Sequence, residues 1–113
     1  MEEENFDEAI TFNLSNIIDY KSNDILVKNI VIRNTVIIQY LLFDFGKVQV
    51  YKKSPFLRFI YIVEGKAEVV MNKNSTFLQK GDSILIPGNE ESSIEANQPF
   101  KMLCTTIKKN RNL

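Results

Sequence analysis

The 113-residue sequence contains no histidine and no tryptophan, and it has a single cysteine, Cys104. Without histidine, imidazole-based zinc sites and catalytic Cys–His pairs are excluded. A single cysteine also excludes a disulfide within the chain. We therefore expect Cys104 to be a small buried side chain in the last strand.

Long hydrophobic runs are also missing. The longest mainly apolar stretches, residues 36–43 and 59–63, have the length of strands and fall short of the roughly 18 residues of a transmembrane helix. The N-terminus is acidic, where a secretory signal is basic and then apolar. The sequence therefore predicts a cytoplasmic protein that does not enter a membrane.

An excess of charge of either sign is absent as well, because 14 Lys and Arg residues balance 14 Asp and Glu residues. With no net charge and no long basic block, nucleic-acid binding is not expected. Apolar residues make up 44% of the chain, too many for a disordered protein. At this length, one domain is expected.

Two parts of that chain differ in composition. Residues 1–9 carry five carboxylates, which predicts a poorly ordered acidic arm, and residues 10–113 form the single predicted domain. Near the start of the domain, Asn13 or Ser15 is placed to cap one helical turn that carries Leu14, Ile17 and Ile18. Helical periodicity is weak beyond that turn.

Short segments rich in β-branched and aromatic residues, separated by Gly, Pro, Asn and Asp, predict strands. They are residues 25–33, 36–44, 48–52, 56–63, 66–71, 76–79, 83–86, 92–96 and 100–107, with a hairpin loop at 72–75. This succession is typical of an all-β antiparallel sandwich or barrel. Because residues 59–63 are apolar on both faces, a second cover is expected outside the sheet, and a homodimer is the simplest one.

Two glycine-bounded segments carry a distinctive spacing. The first is Gly46, Lys52, Ser54, Arg58 and Gly65, and the second is Gly81, Pro87, Asn89, Ser92 and Ala96. Their spacing resembles the two motifs of small single-domain cupins, G-x5-H-x-H-x3-E-x6-G and G-x5-P-x-G-x2-H-x3-N. The resemblance covers roughly residues 40 to 107, with Gly88 and Asn97 each one place from the family's glycine and asparagine.

The resemblance implies a double-stranded β-helix, or jelly-roll barrel. In metal-binding cupins, the three histidines and the glutamate of the motifs hold one divalent cation inside the barrel. Here those positions are Lys52, Ser54, Arg58 and Ser92, and two cations with two hydroxyls are poor ligands for a divalent metal. We therefore expect no metal and no cofactor. The alternative is a metal site rebuilt from the carboxylates of Glu90, Glu91 and Glu95, which lie near Ser92 in the sequence.

The resemblance also implies that Lys52, Ser54, Arg58 and Ser92 lie at the mouth of the cavity, where they would bind a small polar or anionic molecule. On this hypothesis the protein is a non-catalytic binding module. An alternative is that Arg58 pairs with Glu90, Glu91 or Glu95 at the rim while Lys52 extends into water.

Two other function classes remain open from the residues. One is a metal-independent enzyme of the isomerase or cyclase kind, with a lysine as base and Tyr40, Tyr51 or Tyr61 as acid. The other is a structural or regulatory dimeric module. Cys104 is not expected to be a nucleophile, since the sequence offers it no partner base.

Overall fold

The computed structural model describes residue 6, residues 8–16 and residues 20–108. Across this part of the chain, a short 3-10 helix, Leu14–Asn16, precedes nine strands. They are β1 (Ile25–Ile32), β2 (Val36–Phe43), β3 (Val48–Tyr51), β4 (Phe56–Glu64), β5 (Lys66–Met71), β6 (Asn74–Gln79), β7 (Ser83–Ile86), β8 (Ser92–Glu95) and β9 (Phe100–Lys108). No helix within the described residues is long and apolar enough to span a membrane.

The strands form two antiparallel sheets. One has the order β1-β2-β9-β4-β7, and the other has the order β3-β8-β5-β6. Each predicted strand is present, and most boundaries agree to within one residue. The all-β, antiparallel prediction is confirmed.

The β5–β6 hairpin differs from its prediction. The structure replaces the expected loop at 72–75 with a two-residue turn, because Asn72 and Lys73 both adopt positive φ angles, 54° and 64°. Positive φ at both central residues is the geometry whose twist matches that of a hairpin. As a result, β6 begins at Asn74, two residues earlier than predicted.

The core lies between the sheets and follows the two-residue alternation of the strands. On β4, Ile60 and Ile62 point inward and are fully buried, whereas Phe59 and Tyr61 point outward and are each 37% exposed. Phe43 of β2 and Phe100 of β9 stack with their ring centroids 4.5 Å apart. These aromatic rings fill one end of the barrel and leave the other end to more polar side chains.

The N-terminal segment packs against the outside of the five-stranded sheet. Its 3-10 turn is capped by Asn13, whose Oδ1 accepts a hydrogen bond from the Ser15 N–H at 2.9 Å. The Tyr20 hydroxyl donates to Glu64 Oε2 at 2.7 Å, and the buried Lys101 Nζ donates to the Ser15 carbonyl at 3.2 Å. This segment therefore covers part of the sheet's outer face.

Two predictions for the N-terminus fall largely outside the described residues. The predicted acidic arm, residues 1–9, is described only at residues 6, 8 and 9, and the helical-turn residues Ile17 and Ile18 are not described. Within the described part, the ring of Phe6 lies 4.7 Å from that of Phe12.

Candidate ligand-binding site

The polar end of the barrel contains a cavity of about 390 Å³ that is lined by residues of β1, β2, β3, β4 and β9. Ligand pockets usually have volumes of roughly 300 to 1,000 Å³, so this one suits a small molecule. Its apolar walls come from Val27, Ile37, Leu41 and Phe56. Its polar lining consists of Gln39, Gln49, Tyr51, Arg58, Cys104 and Thr106, and Lys52 and Lys108 also border it.

Arg58 is the cation that β4 directs into this cavity. It shares the inward face of the strand with Ile60, and its guanidinium carbon lies 4.3 Å from the centroid of the Tyr51 ring. None of the ion pairs between described residues involves Arg58. A partly buried guanidinium with only an aromatic face beside it retains N–H donors for an anion.

Lys52 lies at the surface beside the cavity. Its Nζ is 3.7 Å from Glu91 Oε1, and the two side chains are 82% and 53% exposed. The sequence left open a rim pair between Arg58 and one of three glutamates, and the structure instead pairs Glu91 with Lys52. An ion pair this exposed contributes little stability.

Tyr51 and Ser92 face each other across the β3–β8 pair and are both buried. Among the described residues, neither hydroxyl makes a hydrogen bond of ordinary geometry, although the Tyr51 hydroxyl lies close to the weakly hydrogen-bonding Cys104 thiol. Burial raises the pKa of Tyr51 well above its ordinary value, Cys104 raises it further, and Arg58 opposes the shift. The phenol is therefore protonated at neutral pH. Because an unpaired buried hydroxyl is energetically costly, a ligand oxygen that accepts a hydrogen bond from it would relieve that cost.

Cys104 lies on the floor of the cavity, and its predicted burial is confirmed at 2% exposure. Its Sγ is 3.9 Å from Thr106 Oγ1. Burial raises the pKa of Cys104, although the hydrogen bond with Thr106 and the charge of Arg58 oppose this. The thiol is therefore protonated at neutral pH, which fits a lining residue better than a nucleophile.

Ser54 has a local structural role on the outside of the barrel. Its N–H donates to the Gly88 carbonyl at 2.8 Å, and its Oγ accepts from the Phe56 N–H at 3.2 Å. It borders a separate, mostly apolar groove of about 640 Å³ that also includes Pro87 and Ile107. The structure thus brings Lys52 and Arg58 to the cavity and places Ser54 and Ser92 outside its lining.

Comparison with known proteins assigns the fold. Residues 52–106 match the family model of the cupin domain. The chain has the fold of a cupin domain. A conserved protein of unknown function from Streptococcus pyogenes is 21% identical, with a TM-score of 0.85 over 97% of each chain. A cupin superfamily protein from Desulfitobacterium hafniense is 19% identical, with a TM-score of 0.85 over 96% of this chain and 100% of that one.

A cupin 2 conserved barrel domain protein from Leptotrichia buccalis is 24% identical, with a TM-score of 0.79, and it matches 86% of this chain but 47% of its own. No curated protein matches the sequence. Identities this low establish the fold alone, and they confirm the predicted jelly roll.

The residues at the four motif positions that hold the metal in metal-binding cupins do not fit a divalent metal here. Lys52 and Arg58 are cations, the Ser54 hydroxyl serves its own loop, and Ser92 offers a single neutral hydroxyl. No group of three or more His, Cys, Asp or Glu side chains is arranged to hold a metal within the described residues. We therefore assign no metal-dependent step to this site.

Five residues that line the cavity were not among the predicted ligand-binding residues: Gln39, Gln49, Tyr51, Cys104 and Thr106. Tyr51 was predicted only as an acid in the alternative enzyme, and Cys104 only as a buried side chain. The alternation of side chains along a strand predicts part of this lining, because Cys104 and Thr106 are two residues apart and must share a face of β9. Which face of β9 meets the cavity depends on pairing with β2 and β4, and a single sequence does not give that.

Proposed function

We propose that this cupin domain is a non-catalytic module that binds a small polar or anionic molecule in the cavity at the polar end of the barrel. The observation that carries the proposal is the Arg58 guanidinium, which lines the cavity without a carboxylate partner among the described residues. A cation held in a partly desolvated site attracts an anion more strongly than a cation in water.

The surroundings of Arg58 support binding rather than catalysis. An enzyme of the kind considered above needs a lysine as base, but Lys52, which borders the cavity, is 82% exposed at its side chain and lies beside Glu91. Catalytic lysines are normally activated by desolvation, which this one lacks. Of the three tyrosines considered as acids, Tyr40 is buried on the outer side of β2 and Tyr61 is exposed on the outer side of β4. Tyr51 is the one that lines the cavity.

A thermal-shift screen of small carboxylates and phosphates tests the proposal. A ligand present at about 100 times its Kd adds roughly 2.7 kcal/mol of stability, which corresponds to an increase in Tm of about 10 °C for a domain of this size. Arg58→Ala is expected to abolish the response.

Arg33→Ala provides the matched control, because Arg33 is exposed and its side chain bonds only to the neighbouring Ile32 carbonyl. This variant should respond to the ligand as the wild type does. Loss of the response in Arg33→Ala, or its survival in Arg58→Ala, would mean that anions bind elsewhere on the surface.

A further inference from the structure

The residues around Arg58 specify the kind of anion. We propose that the ligand is a monocarboxylate with an apolar body, with its carboxylate held by Arg58 and its body placed against Val27, Ile37, Leu41 and Phe56. This inference rests on the proposed function and narrows the ligand class of the same cavity.

The placement of the cations favours a singly charged ligand. Three cations border the cavity: Arg58 lies against the buried Tyr51 ring, Lys52 is exposed and paired with Glu91, and Lys108, at the end of β9, also borders the outer groove beside Ser54. A phosphate monoester carries a charge of about −1.5 to −2 near neutral pH and needs more than one close cation. A carboxylate carries one charge, which matches one guanidinium.

The geometry of the donors also suits a carboxylate. Arg58 makes a contact with the Tyr51 ring and no hydrogen bond to another described residue, so the N–H donors of its planar fork are available. A guanidinium fork matches the two oxygens of a carboxylate in a bidentate pair. The unpaired Tyr51 hydroxyl is a further donor on the same side of the barrel.

The remainder of the lining favours an apolar body. Four aliphatic or aromatic side chains form the walls, and each of the two amide side chains already donates one hydrogen bond. Gln39 Nε2 donates to Asn29 Oδ1 at 2.9 Å, and Gln49 Nε2 donates to the Val50 carbonyl at 3.2 Å. An apolar body placed against these walls would remove apolar surface from water on both sides of the contact, which favours binding.

Isothermal titration calorimetry with a small probe set tests the ligand class. The probes are acetate, isovalerate and benzoate, which share a carboxylate and differ in apolar body, together with neutral benzamide and inorganic phosphate. We expect isovalerate or benzoate to bind at one equivalent, and acetate, benzamide and phosphate to bind at least about 10-fold more weakly, since each lacks one of the two contacts.

Variants of Arg58 connect binding to this cavity. Arg58→Gln should weaken binding of the best carboxylate by about 10- to 100-fold. Arg58→Lys keeps the charge but loses the fork, so it should retain only part of the affinity. Arg33→Gln should change nothing. Circular dichroism establishes that each variant is folded, and if Arg58→Gln is not, Arg58→Lys serves as the test.

The outcomes distinguish the monocarboxylate ligand class from the proposed function, which is binding of a polar or anionic molecule in the cavity. Tighter binding of phosphate or benzamide than of any carboxylate, with dependence on Arg58, would overturn the monocarboxylate class and leave the proposed function standing. Acetate binding as tightly as benzoate and isovalerate would likewise overturn the apolar body. Absence of binding by every probe, or binding unaffected by the Arg58 variants, would overturn both.

Discussion

Lys101 is 4% exposed on the outer side of β9, where the N-terminal segment covers it. Its Nζ lies 3.8 Å from Glu64 Oε2, donates to the Ser15 carbonyl and is 5.3 Å from the centroid of the Tyr20 ring. These contacts satisfy a charge that would otherwise be expensive to bury. Sequence periodicity places Lys101 on this face, but it does not reveal that a distant segment supplies the partner carbonyl.

Replacing Lys101 therefore tests how the N-terminal segment is held. Lys101→Ala should lower the free energy of unfolding by about 1 to 3 kcal/mol, a range reduced for the partial exposure of Glu64. Urea denaturation at neutral pH measures this. Lys80→Ala, at an exposed turn position, should change stability by less than about 0.5 kcal/mol. Equal effects of the two variants would show that the buried contacts contribute nothing.

The raised pKa of Cys104 predicts a pH dependence. Because the folded-state pKa is raised by burial, the unfolded chain loses the thiol proton first, so stability is full below the unfolded pKa of about 8.5 and declines as pH rises above it. Arg58 on β4 and Tyr51 on β3 face the thiol and lower its pKa, but the effect of burial is larger.

Unfolding free energies measured between pH 8 and pH 10 check the Cys104 prediction. As pH rises, the free energy of unfolding of the wild type should fall by up to about 1.4 kcal/mol per pH unit more than that of Cys104→Ala. The variant is less stable at every pH but has no thiol to ionise. Parallel curves would contradict the assignment. In the folded protein at pH 8, iodoacetamide should modify Cys104 slowly, since the thiol is buried and protonated.

At the scale of the elements, the Pro87–Asn89 turn is tied to the loop before β4. A Cβ atom at Gly88 would overlap the carbonyl oxygens of Ser54 and Phe56. Gly88→Ala should therefore lower the free energy of unfolding by about 3 kcal/mol, because two backbone segments would have to separate.

Gly46→Ala is the comparison for that turn, because Gly46 has a φ of 80° and open space around its Cα. This variant should cost about 1 to 2 kcal/mol through backbone strain alone. Thermal or urea denaturation of both variants gives the order, and a Gly88 effect smaller than the Gly46 effect would contradict the packing described for the turn.

The strands were predictable because their signals are local. Runs such as Phe56 to Val63 alternate or are wholly apolar, and Gly, Pro or Asn punctuates their ends. The residues that form the site were harder to predict from the sequence. Motif spacing located Lys52 and Arg58, but Ser54 bonds within its own loop, and the lining of β9 is fixed by pairing between residues far apart in the sequence.

At the scale of the whole molecule, the outer side of β4 and its neighbours forms an apolar surface, here called the outer apolar face. It consists of Leu57, Phe59, Tyr61, Leu85 and Ile107, whose exposures range from 37% to 57%. Cross-strand pairing makes it continuous, since Phe59 lies opposite Leu85 and Leu57 lies opposite Ile107. The neighbouring groove, bordered by Leu57 and Ile107, extends it.

We propose that a second copy of the chain covers the outer apolar face. The face carries no charge that would select a different, oppositely charged partner, and two copies related by a two-fold axis would each bury the same residues. Light scattering after size exclusion at micromolar concentration should give about twice the chain mass of 13.1 kDa.

Phe59→Lys should convert that dimer to a monomer, because it would place an unpaired charge in the centre of the contact. The matched control is Phe77→Lys on β6, since Phe77 is 69% exposed on the other sheet. This variant should remain dimeric. A monomeric wild type, or a Phe59→Lys protein that is still dimeric, would rule out this interface.

Arg58 is proposed to hold an anion inside the barrel, and a crystal structure of the protein grown with a saturating monocarboxylate such as benzoate tests this. We expect density for the ligand between Arg58 and the walls formed by Leu41 and Phe56, with both carboxylate oxygens within hydrogen-bond distance of the guanidinium. A cavity that holds only water, or a ligand seated solely in the groove beside Ser54, would contradict it.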